Sequence, residues 1–62
     1  MPSIPAQLRA AREQVGLTQQ ELADRLGVQQ SNVAAVETGK RVIGLPLLRR
    51  WASACDVEVK LE

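Results

Sequence analysis

The side chains of this 62-residue sequence that could do chemistry are donors and acceptors of hydrogen bonds, not makers of covalent ones. There is no His and no Tyr, and no pair of carboxylates falls on one apolar face. No phosphate-cradling glycine loop is present. Without an acid–base or nucleophile set, an enzyme is the least expected class. The single Cys rules out an internal disulfide and leaves no Cys/His set for zinc, so no metal or cofactor is expected. What remains is a polar run, Gln30, Ser31, Asn32 and Thr38, interleaved with Ala34 and Ala35 and followed by Lys40 and Arg41. Amides and hydroxyls at helical spacing line one outward face. Two adjacent cations beyond its end suit contact with phosphates. The alternative is a solvated helix surface and a solvated loop.

Those residues must be positioned by two short helices and a tight turn over 18–38. Thr18 is a good N-cap, and Glu21 three residues later completes a capping box. Leu22, Ala23 and Leu26 then share a face. Gly27 can take the left-handed conformation that ends a helix and reverses the chain, and Val28 plugs the turn. Val33 and Val36 stripe a second helix, which Gly39 stops. Small Ala23 permits a close crossing, and branched Val33 and Val36 pin the second helix to the first. Cap, small residue, glycine and apolar pair agree in register with a helix-turn-helix unit, whose second helix lies in the DNA major groove. The bland alternative is an ordinary helical hairpin in a small bundle.

Around this unit the sequence predicts one all-α domain over 1–62, with helices at about 5–15, 18–26, 30–38 and 46–55. Residues 1–4 read as a short arm. Pro5 opens the first helix, which turns Leu8, Ala11, Arg12 and Val15 inward. Leu17 sits just before the Thr18 cap. Net charge is only +1, from eight basic and seven acidic residues, so non-specific attraction to phosphates should be weak. One Trp as the sole aromatic argues against base stacking on single strands. No stretch nears the roughly 20 apolar residues of a membrane span, and no signal peptide is read. A soluble cytoplasmic protein with no membrane partner is expected.

The run Thr-Gln-Gln-Glu-Leu-Ala-Asp-Arg-Leu-Gly-Val, followed by Gln-Ser-Asn-Val-Ala-Ala-Val-Glu-Thr-Gly-Lys, resembles the Xre or Cro/repressor family over about 8–57. The resemblance implies a compact lambda-repressor-like domain. It places Gln30 at a base-reading position, where glutamine grips adenine with two hydrogen bonds or donates to guanine, with Ser31 and Ala35 facing neighbouring bases. It places Gln19 at a phosphate, bracing Gln30. Asn32, Thr38, Lys40, Arg41 and, more weakly, Arg9 are the further phosphate candidates. The charged Arg12 and Glu37 on inward faces match positions that form an Arg–Glu pair between the first and third helices. Two solvated charges are the alternative. Gln29 departs from the family's Ser or Thr cap, and glutamine caps poorly.

In the fourth helix, Leu48, Ala52 and Cys55 read as a core stripe, while Leu47, Trp51 and Ala54 read as a second apolar face suited to a twofold partner. The alternative puts Trp51 in the chain's own core. Arg49 and Arg50 read as solvated. Val57, Val59 and Leu61 alternate with charged residues, a strand pattern over 57–61 that needs an external partner such as the same strand of a second copy. This ending resembles Xre-type antitoxins. The expectation is a homodimeric repressor on an inverted-repeat double-stranded operator, serving as antitoxin and autoregulator with a possible cognate toxin. A phage-type regulator, or an interaction module that binds protein without reading DNA, is the alternative.

Overall fold

In the computed structural model, residues 3–56 are described, and they form four helices: α1 (Ile4–Gln14), α2 (Gln19–Leu26), α3 (Gln30–Glu37) and α4 (Leu45–Ala54). The first begins earlier than its proline suggests. Ser3 is its N-cap, accepting from the Ala6 N–H at 3.4 Å, so the end of the expected arm is part of the helix entrance. Helix α2 starts as its sequence dictates. The Thr18 side chain accepts from the Glu21 N–H at 3.1 Å, and the Glu21 carboxylate accepts from the Thr18 N–H at 2.9 Å. It stops at Gly27, whose φ of +69° is left-handed, and the Gly27 and Val28 amides close onto the last turn. Helix α3 has Gln29 as its N-cap with no side-chain cap bond, the weak entry expected of glutamine. Among the described residues there is no strand. The alternating run 57–61 lies outside them.

The helices enclose one small core of Leu8, Leu22, Ala23, Leu26, Val33, Val36, Leu48, Trp51 and Cys55, with Ala11 at its edge. Helix α2 packs on α3 and α4, and α1 packs on α3 and α4. Three apolar assignments change. Val15 follows the last turn of α1 and is 45% exposed, so it does not join the inward stripe. Ala52 is only half-buried. The core stripe of α4 is instead Leu48, Trp51 and Cys55, and Trp51 is fully buried. The physical reason is space and a partner. Trp51 is the largest side chain inside, and its indole N–H donates to the Leu8 carbonyl at 3.2 Å. Trp51 therefore belongs to the chain's own core and not to a dimer face.

Candidate nucleic-acid interface

The site is built from a buried charge outward. Arg12 on α1 holds Glu37 at the end of α3 with a two-pronged grip, Nε to Oε2 at 2.6 Å and Nη2 to Oε1 at 3.1 Å. Both are buried, the Glu37 side chain to 2% exposure. The remaining Arg12 terminal nitrogen donates to the Leu17 carbonyl at 2.7 Å, tying in the loop before α2. The hydrogen bond to Glu37 raises the Arg12 pKa against the opposing effect of burial, so the guanidinium stays charged.

The Glu37 carboxylate also accepts from Gln19 Nε2 at 3.1 Å, and Gln19 Oε1 accepts from Gln30 Nε2 at 2.6 Å. Four side chains from three helices thus form one chain of bonds, from Arg12 through Glu37 and Gln19 to Gln30. Its polarity is fixed at the buried end. An ionised carboxylate only accepts, so Gln19 must give it the NH₂ group. That turns the Gln19 carbonyl toward Gln30, which answers it with its own NH₂. Exposed Gln30 is left with its carbonyl oxygen and one N–H.

The other expected contact residues fall as follows. Ser31 is exposed, and Ala34 and Ala35 are half-buried on α3. The Asn32 carbonyl accepts from the Arg41 guanidinium. Lys40 is exposed in the loop after α3. Arg9 faces solvent in a 3.5 Å pair with Glu13, one helical turn on. Such an exposed pair is worth little and leaves Arg9 easily redirected. Thr38 is exposed at the end of α3. Its hydroxyl donates back to the Ala34 and Ala35 carbonyls at 3.0 and 3.3 Å. Leu47 and Ala54 are half-buried against the core. Val57, Val59 and Leu61 lie outside the described residues.

Arg50, which the sequence predicts to be solvated, instead caps a helix. Its guanidinium donates to the Leu26 carbonyl, the last of α2. It lies beside Gly27, where an added Cβ would sit 4.0 Å from Arg50 Nη2. The signal was the orphan carbonyls that any helix end leaves, here close to a cation on a facing helix.

A family described as helix-turn-helix matches residues 8–61. The chain belongs to this Xre-like helix-turn-helix family. Over 58 residues it is 43% identical to an uncharacterised HTH-type transcriptional regulator, y4dL, of Sinorhizobium fredii. That match covers 94% of this chain and 30% of the longer relative. It is also 43% identical over 51 residues to an HTH-type transcriptional regulator of Methanothermobacter thermautotrophicus, covering 82% of this chain and 74% of the relative. The helix-turn-helix domain superposes on the restriction-modification controller protein C.AhdI of Aeromonas hydrophila with a TM-score of 0.82 and 36% identity, over 89% of this chain and 83% of that one. No helix among the described residues is long and apolar enough to cross a membrane.

Proposed function

We propose that this chain is a sequence-specific, double-stranded-DNA-binding transcriptional regulator that works as a homodimeric repressor, with α3 in the major groove. The observation that carries this reading is the bond chain ending at Gln30. A structural surface glutamine needs no buried charge to set its amide. Here the free carbonyl and single free N–H match the N6 donor and N7 acceptor of adenine, and only the N–H matches the two acceptors of guanine. The bonded polarity therefore favours adenine at the step Gln30 reads. Lys40, Arg41 and the redirected Arg9 supply cations for the flanking phosphates. Membership among proteins named as transcriptional regulators, and the likeness to a restriction-modification controller, support the same role.

A net charge of +1 gives one copy little hold on a polyanion, which favours two copies on an inverted repeat with half-sites about 34 Å apart. Leu47 and Ala54 remain candidates for that interface. The antitoxin role rests on the alternation over 57–61 and on its resemblance to Xre-type antitoxins, and the named relatives add nothing to it, which favours an operator-binding regulator.

The test is selection from a random duplex library at moderate salt, repeated with Gln30→Ala. Recovery of an inverted repeat, with one A·T preference lost in the variant while folding is unchanged, is the expected result. No enrichment by the wild-type chain would transfer the fold to an interaction module that binds protein.

A further inference from the structure

The loop after α3 is folded back on its own helix. Gly39, at a φ of +78°, turns the chain, and the Lys40 and Arg41 amides both donate to the Ala35 carbonyl, at 2.9 and 3.2 Å. This anchors the Arg41 backbone beside α3. From there the side chain runs back and its Nη1 donates to Asn32 Oδ1. Asn32 lies in the first turn of α3 and is half-buried, while Arg41 is exposed. A cation on the amide oxygen fixes which way the amide points. The Asn32 NH₂ is turned away from Arg41 with two donors and no acceptor to offer. Four guanidinium N–H groups stay uncommitted beside it. Phosphate oxygens only accept, so both groups present the one polarity a phosphate can use.

Resting on the DNA-binding reading above, we propose that Arg41 and Asn32 act as one pre-oriented donor pair for a single DNA phosphate, with Arg41 the residue that positions the Asn32 amide. As separate contacts, each would bind with or without the other. As a pair, Arg41 both adds its own charge and keeps the Asn32 oxygen away from the phosphate.

The experiment is a double-mutant cycle on the selected operator, read across a salt series. Asn32→Ala should weaken wild-type binding about 10-fold, and about threefold or less in the Arg41→Ala background. Arg41→Ala should lower the slope of log affinity against log salt by about 1, and Asn32→Ala should leave it unchanged. Arg41→Lys should keep the slope yet show the same reduced sensitivity to Asn32→Ala, since a lysine supplies charge without the planar fork. In the free protein, the Asn32 side-chain NH₂ resonances should move on Arg41→Ala. A wild-type chain that selects no operator defeats the DNA reading and this pair with it. A chain that selects one while the two losses simply multiply, or whose Asn32 resonances ignore Arg41, defeats the pair alone.

Discussion

Replacing Arg12 by methionine keeps most of the side-chain volume and removes three donated bonds, two to Glu37 and one to the Leu17 carbonyl. Glu37 is left with its side chain 2% exposed and with Gln19 as its remaining donor. Leaving one member of a buried ion pair alone costs about 3–5 kcal/mol. A core of this size supplies a net stability of about 3–5 kcal/mol. The single variant should therefore be largely unfolded at 25 °C, or melt at least about 12 °C below the wild type. The double variant Arg12→Met/Glu37→Met removes both charges, and such replacements are often neutral or stabilising by about 1–4 kcal/mol. Its melting temperature should return to near or above the wild-type value. Its DNA reading should not return. Without Glu37 nothing fixes the Gln19 amide, Gln30 can present either end, and discrimination at the adenine step should fall about fivefold or more. Thermal melts followed by circular dichroism give the stability arm, and operator competition against a single-base variant gives the reading arm. A single variant that melts within about 3 °C of wild type would show the pair to be idle. A double variant that discriminates as well as wild type would show that Gln30 orients itself.

Three further outcomes follow from the same geometry. The Thr18 backbone N–H, donating to the Glu21 carboxylate, holds that carboxyl below the ordinary glutamate range, with the neighbouring Thr18 side chain a smaller cause. A carboxyl depressed on folding contributes fully above its unfolded value, and the contribution is lost as pH falls through the folded one. Carbon-13 NMR should show Glu21 titrating below its value in urea, and Glu21→Gln, which keeps a capping box, should remove that part of the acid sensitivity. Coincident folded and unfolded titrations would refute it. Arg50→Met should destabilise by about 1–2 kcal/mol through the uncapped Leu26 carbonyl, measured by urea titration, and no change would show the cap to be solvated. Gly27→Ala should cost about 1 kcal/mol from its left-handed φ alone, since nothing lies closer than 4.0 Å to the new methyl, and a much larger loss would refute that.

How far the fold is legible depends on whether a local rule or a tertiary one decides each residue. The capping box at Thr18, the left-handed Gly27 and the poor cap at Gln29 are local, and each is visible in a few consecutive residues. The register of α4 is tertiary. Leu47, Leu48, Trp51, Ala52, Ala54 and Cys55 can be split into apolar stripes in more than one way at i+3 and i+4 spacing. Only the size of the gap between the helices, and the Leu8 carbonyl waiting for a donor, put Trp51 inside. The same limit applies to the apolar connection at 42–45, where Val42 is 93% exposed. It applies also to Arg50, because a side chain that caps a distant helix leaves no periodic trace. Arg12 and Glu37 stood out as charges among apolar neighbours. Their joining across 25 residues was supplied by resemblance and not by spacing.

That buried pair also explains why a small core would carry charge at all. An apolar pair of the same volume would hold α1 to α3 at least as well. It could not tell an amide which way to face. Carbonyl and NH₂ ends of glutamine are nearly equal in size, and water satisfies both, so an exposed glutamine held by packing alone has no preferred polarity. The Glu37 carboxylate, gripped by two Arg12 donors, is an acceptor and nothing else. Each amide next to it inherits an orientation, Gln19 first and Gln30 second. The Arg41–Asn32 contact repeats the device with the opposite sign, a cation turning an amide to offer donors. On this account the charges of the domain are placed less to attract DNA than to set the direction of the neutral groups that would read and hold it, which is consistent with a net charge of only +1.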